Sequence, residues 1–345
     1  LPFVLKKYPN SKLESTAPHQ NYIFSHFNNK RGEITMARDH VKVWAPASVA
    51  NVAVGYDILG FAINGPGDEV LIKPGTKKGL KIVKITGGKG LPLDPEKNTA
   101  GFAALRLLEE LGLQDEPIEM EIRKKMPFGS GLGSSAASAV GGVFAVHEFF
   151  KTGLQKRDIL KHAVAGEQIA DGAWHADNVA PSLLGGMTLI RDNASLDIHK
   201  LYIPRAMQVV VIYPKVEILT KDSRAILSDI VTLDQHIAQS GNLGAFIIGM
   251  YNSDFDLIQR SLQDLIIEPQ RAQLIPEFFK MKEAALEEGA LGFSISGAGP
   301  SMFALTNNSL VSEKIVERAK KIYSAKKIRI KTFTSEINQE GAYLC

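Results

Sequence analysis

The chain has 345 residues, 45% of them hydrophobic and 22% charged, which suits a globular protein of two domains and excludes a disordered one. Forty Lys and Arg against 37 Asp and Glu leave a formal charge of +3. It is spread along the chain, with no dense basic cluster of the kind nucleic acid or acidic lipid would call for.

Cys345 is the single cysteine, so an intrachain disulfide and a cysteine metal cluster are both excluded. No stretch reaches the roughly 18 apolar residues of a membrane span. No long apolar block follows Lys6 and Lys7, as a signal peptide would require. Together these features point to a cytoplasmic protein.

Residues 1–38 are polar and irregular and read as an extension of unknown role, with Met36 just before the first clear pattern. From His40 the chain becomes domain-like. VKVWAPAS opens as a strand, and NVAVGYDILGFAI runs through a glycine-containing loop into a second apolar segment. DEVLIKP and GLKIVKIT are strands joined by the turn signal GTKK, a hairpin-like pair. KNTAGFAALRLLEELG reads as a helix with Asn98 or Thr99 as its cap and Gly112 as its terminator. PIEMEIRK is a strand ending at about Lys124. A long alanine-rich helix follows to about Phe150, then a helix over 157–170 and the strand GGMTLIRD. A second unit starts near Pro204 with the strand AMQVVVIYP and continues through mixed helices to about Gly289. It closes with GFSISGAGPSMFALT, a helix near 311–326 and the strand KIRIKTFT. The interspersed elements indicate an α+β protein of two domains.

Between strand and helix lies PFGSGLGSS, residues 127–135. Pro127 opens it, Gly129, Gly131 and Gly133 alternate with Ser130 and Leu132, and Ser134 and Ser135 close it. No lysine follows the glycines, so this is not a Walker A loop. Closely spaced glycines let backbone N–H groups converge, and the free amides and dipole of the next helix favour phosphate. On these grounds alone two readings stay open: a phosphate cradle, or a flexible connection in which Ser134 caps the helix.

PFGSGLGSSAAS resembles the phosphate-binding motif of the small-molecule kinases that include galactokinase, homoserine kinase, mevalonate kinase and phosphomevalonate kinase. APASVANVAVGYDILG (45–60) resembles the first motif of that superfamily, and SISGAGPSMFAL (294–305) the third. ADNVAPSLLGG (176–186), preceded by His175, and IEPQR followed by LIP resemble the homoserine kinase family within it. The resemblance covers about 41–340. It implies an N-terminal ribosomal protein S5 domain 2-like ATP-binding domain over 39–203 and a C-terminal ferredoxin-like domain over 204–345. It also implies ATP and Mg2+ as cofactors, a homodimer, and transfer of the γ-phosphoryl group to the side-chain hydroxyl of L-homoserine, a step of threonine synthesis. The alternative is a related kinase acting on mevalonate or another small alcohol.

Carried over residue by residue, the resemblance makes Glu167 the magnesium ligand with a loop serine beside it, Ser134 before Ser135. Leu160, Ala163, Val164 and Glu167 share one face of their helix, and a carboxylate on that apolar seam needs a partner or a cation. A wet position at the edge of the face is the other reading. Arg224 and Arg271 suit the substrate carboxylate, since a guanidinium fork binds it bidentately. Asp57 with Asn51 suits the ammonium, and Asn178, near His175, the hydroxyl. Asn98 belongs either to the adenine pocket or only to the helix cap. Gly297 and Gly299, flanking Ala298, support the phosphate loop. The resemblance implies asparagine where some relatives carry a catalytic aspartate, and no clear protein base, so Asp177, beside Asn178, is not assigned to catalysis; phosphoryl transfer rests mostly on positioning and electrostatics.

Overall fold

Aliphatic side chains alternate along the first strand and then become buried on both sides, because both faces of the sheet are covered. The computed structural model describes residues 38–345 apart from 89, 173 and 219. Residues 1–37, almost the whole of the N-terminal extension, lie outside the described residues.

The first sheet is built from β1 (Val41–Ala50), β2 (Leu59–Pro74), β3 (Leu80–Thr86), β4 (Ile118–Arg123), β5 (Met187–Asp192) and β6 (Asp197–Leu201). The chain's last strand, β11 (Tyr343–Leu344), joins its edge. The order is β11-β1-β2-β4-β3, with β5 on β2 and β6 on β5. Its helices are α1 (Thr99–Leu111), α2 (Ser134–Phe149), α3 (Lys156–Asp171) and α4 (Val179–Leu184).

Two expectations are corrected here. The segments LGFAI and DEVLIKP belong to one 16-residue strand, β2, whose two ends pair with different partners, Leu59–Phe61 with β5 and Glu69–Pro74 with β4. In addition, β2 and β3 form no hairpin. β4 lies between them and runs parallel to β3, because α1 carries the chain across before β4 begins. The other end signals hold: Asn98 caps α1, and Gly112 ends it in the left-handed region at φ 70°.

α2 is buried on nearly all sides, and its small residues are what permit this. A Cβ on Gly142 would lie 2.1 Å from the Ala100 carbonyl oxygen, so α1 and α2 approach through bare backbone.

The second sheet comprises β7 (Gln208–Pro214), β8 (Gly292–Ile295), β9 (Met302–Thr306) and β10 (Ile330–Glu336), antiparallel in the order β10-β7-β9-β8. With the intervening helices this is a βαββαβ, ferredoxin-like arrangement. The helices are α5 (Thr220–Ala225), α6 (Leu233–Asn252), α7 (Phe255–Ser261), α8 (Glu268–Arg271), α9 (Phe278–Glu287) and α10 (Ser309–Ala325). Alternation along β7 sorts its side chains. Val209 and Val211 join the core of the first sheet, and Val210 and Ile212 join the core under α9 and α10. Phe61 and Phe303 meet edge to face across the former, with centroids 5.8 Å apart.

Candidate active site

The glycine loop adopts the conformation its sequence invites. Gly129, Gly131 and Gly133 have φ of 56°, 74° and 64°, so left-handed residues alternate with others and the peptide N–H groups form a concave nest. The carbonyls turn the other way: Leu132 O accepts from Ser48 N–H, Ser130 O from Ser301 N–H, and Gly131 O from Ser296 Oγ at 2.6 Å. A Cβ on Gly131 would lie 2.4 Å from Ser296 O, so the turn after β8 packs directly under the loop.

Ser134 does not cap the helix. Gly133 occupies the cap position without a side-chain bond, and Ser134 is the first residue of α2. The hydroxyls of Ser130 and Ser134 are buried with no hydrogen-bond partner among the described residues. Two orphaned hydroxyls beside a nest of amides are what an anion site requires.

The loop borders a cleft that also meets Asn98, Glu167, Asn178, Gly297 and Ala298. Its apolar side chains include Leu91, Phe128 and Ile169. Asn98 Oδ1 accepts from the N–H groups of Ala100 and Gly101 while its amide donates to Pro92 O, so its capping role is satisfied within the fold. Asn98→Ala is therefore expected to cost about 1 kcal/mol of stability, read from chemical denaturation. The KM for ATP should rise less than about tenfold if the cap is its main role.

Glu167, on α3, is 7% exposed, and Ser135 Oγ donates to its Oε1 at 2.7 Å. The hydroxyl on Glu167 is thus that of Ser135 and not of Ser134, which precedes it by one residue, about 100° around the helix. Among the described residues no group of three or more His, Cys, Asp or Glu could hold a metal ion. A cation here would draw on one carboxylate, the two hydroxyls and phosphate oxygens. Such a sparse set of hard oxygens suits magnesium, which keeps several of its waters.

Across Glu167 and Asn178 the cleft continues into a smaller cavity, which brings together Asn51, Asp57, His175, Asp177, Arg224 and Arg271. Arg271 is 3% exposed and held in a fixed pose. Its Nε donates to Ser223 O at 3.0 Å and its Nη1 to Gly297 O at 3.1 Å, and the guanidinium stacks on Tyr56 at 5.0 Å. Burial lowers its pKa, so its charge is costly, yet no carboxylate among the described residues lies within ion-pair distance. Asp57 lines the same cavity, its Oδ2 3.4 Å from Arg224 Nη1 and 3.5 Å from His175 Nε2. Asn51 accepts from Asp57 N–H and donates to Gly297 O, the carbonyl that also receives Arg271. Asn178 Oδ1 accepts from Ser48 Oγ at 2.8 Å. All the residues singled out from sequence therefore line the two joined cavities or, like Pro127, Leu132 and Gly299, build the turns beside them.

Some residues escaped the sequence reading. Lys124, with its side chain 2% exposed, pairs with the fully buried Asp68 and also donates to Ser134 O and Ser138 Oγ. Asp68 in turn accepts from Lys125 N–H. This buried pair ties the strand entering the loop to the helix leaving it. Lys124 stands in a KK pair at a strand end, which reads as solvated surface, so pattern alone had no signal for its burial.

Burial pushes the Asp177 carboxyl up to about 7, with the Asp57 charge adding to the effect. In the unfolded chain it titrates near 3.8. Between those values the folded state holds the extra proton, so the stability this group permits is lost as pH rises from about 4 to about 7. Asp177→Asn is expected to stabilise the fold by on the order of 2 kcal/mol at pH 8 and little at pH 4, with kcat within about tenfold of the parent. Denaturation curves at the two pH values check the first part. A collapse of kcat with normal ATP binding would contradict the second.

Fold and cavities together define a two-lobed phosphotransferase-like site, and comparison with known proteins makes the class specific. Residues 98–186 match the GHMP kinases N terminal domain, and 240–325 the GHMP kinases C terminal domain. Over 314 residues the chain is 40% identical to homoserine kinase of Chlorobium phaeovibrioides, covering 88% of this chain and 98% of that one. The crystal structure of homoserine kinase from Cytophaga hutchinsonii superposes with a TM-score of 0.88 at 48% identity, covering 90% of this chain and 99% of that one. L. major mevalonate kinase, crystallised with R-mevalonate, shares the fold at 16% identity and a TM-score of 0.67 over 88% of this chain and 98% of that one. The chain belongs to the GHMP kinases and, within them, to the homoserine kinases.

Proposed function

We propose that the chain is an ATP-dependent kinase that phosphorylates the side-chain hydroxyl of L-homoserine, giving O-phospho-L-homoserine for threonine synthesis. The observation that carries this is the small cavity: a buried Arg271, with no carboxylate among the described residues in ion-pair distance, lines it together with Asp57, and the space opens at Glu167 and Asn178 onto the glycine loop. A molecule with a carboxylate, an ammonium and a hydroxyl answers each of these groups. Mevalonate lacks the ammonium and would leave Asp57 without a ligand partner.

In this reading the ATP phosphates lie on the amides of 129–135, supplied by residues 39–203, with the base toward Asn98. The 204–345 segment contributes Arg224, Arg271 and the Gly297–Gly299 turn. Arg271 takes the substrate carboxylate, with Arg224 beside it, and Asp57, steadied by Asn51, takes the ammonium. The Asn178 amide orients the hydroxyl end, and His175, beside Asp57 and Arg224, lines the charged end. Glu167, with Ser134 and Ser135, would hold a magnesium ion, which when bound neutralises charge developing on the phosphates. These residues bring the hydroxyl in line with the γ-phosphate and exclude water, and the hydroxyl proton leaves to phosphate oxygen rather than to a side chain. A homodimer and a cytoplasmic location belong to the same reading. Among the described residues no helix is long and apolar enough to cross a membrane.

The test is ADP release from ATP and magnesium with L-homoserine, mevalonate, galactose and L-serine side by side. Turnover with L-homoserine alone is the expected result. Turnover with mevalonate or galactose instead would keep the nucleotide site and remove the substrate assignment.

A further inference from the structure

The loop that presents Asp57 is held in an unfavourable conformation. Asn51, Val52 and Ala53 have φ of 73°, 42° and 55°, and Asp57 has 59°. Three successive non-glycine residues in the left-handed region, one of them β-branched, persist only if neighbours over-determine them. Asn51 and Asn193 do part of this, Asn193 Nδ2 donating to Asp57 O at 3.1 Å.

A further neighbour comes from α6. The Gln239 amide nitrogen donates to Val54 O at 3.3 Å and to Asp264 Oδ1 at 3.4 Å, while its oxygen accepts from Leu265 N–H at 3.0 Å. The reverse orientation would set the amide oxygen against two acceptors, so the network fixes this one. Asp264 in turn receives the N–H groups of Ile266, Ile267 and Glu268, and so fixes the start of α8, the short helix that ends in Arg271.

We propose that Gln239 is a positioning residue that ties the Asp57 loop to the Arg271 helix and thereby sets the spacing between the cation-binding and anion-binding ends of the small cavity. Its kinetic consequence rests on the reading of that cavity as the amino-acid site. Gln239 lies on a half-buried helix face and lines neither cavity, so it acts through the groups it holds.

The experiment pairs two readouts on Gln239→Leu and Gln239→Glu in the full chain. Hydrogen exchange, which needs no substrate, should accelerate together at 52–58 and 265–271 and stay unchanged in the glycine loop. The KM for L-homoserine should rise about tenfold, with kcat and the KM for ATP within about twofold. A merely structural role would instead lower the melting temperature and disturb both substrates alike. Exchange that is unchanged, or altered in only one segment, overturns the tie, as does an unmoved KM for L-homoserine. Should the parent enzyme not turn over L-homoserine while both segments still loosen in the variants, the substrate reading falls and the tie between the two segments stands.

Discussion

Arg271→Ala is expected to raise the KM for L-homoserine by about 100- to 1000-fold while leaving the KM for ATP within about threefold. The size follows from the setting. The guanidinium is 3% exposed, its pose is fixed by two backbone carbonyls and the Tyr56 ring, and a carboxylate bound to it is withdrawn from water. Removing one partner of such a pair leaves the other charge buried and unmatched. Because Arg271 also braces Ser223 O and Gly297 O, loss of fold is a competing explanation for the alanine variant. Arg271→Lys addresses it by retaining the charge and part of the packing but losing the fork. It should show an intermediate rise of about tenfold with a melting temperature near that of the parent. A lysine variant with the parent's KM would mean that the fork makes no substrate contact.

The second large effect belongs to Glu167→Gln. The amide keeps an oxygen that can accept from Ser135 Oγ, so this contact between α2 and α3 can survive while the charge is removed. We expect kcat to fall about 1000-fold and the magnesium concentration for half-maximal rate to rise about tenfold or more, with the KM for L-homoserine little changed. Steady-state rates over a magnesium titration read both. A variant that keeps its rate and its magnesium dependence would remove Glu167 from the site.

How far these residues were legible from sequence depended on how local their signals were. The glycine loop, the Asn98 cap and the Gly112 terminator announce themselves within a few residues, because a left-handed turn or a cap is a local requirement. Motif resemblance then supplied Asp57, Asn178, Arg224 and Arg271, which sit far apart in the chain and meet in one cavity. Pairing order was less accessible. The turn signal GTKK marks a chain reversal but does not state which strand will lie beside which, and β4 arrives later to take the place beside β2. Least legible were the braces. Lys124 and Asp68 look like surface charges of two strands, and Gln239 is 185 residues from the carbonyl it holds. Nothing in the local composition marks this one amide of α6 as the link between two binding groups.

The most direct test of the central claim follows the reaction by phosphorus NMR with ATP, magnesium and L-homoserine. The account predicts a new phosphomonoester signal split by the two protons of an adjacent CH2 group, growing as ADP grows. A new signal without proton coupling would place the phosphoryl group on the carboxylate or on water, and would contradict transfer to the side-chain hydroxyl.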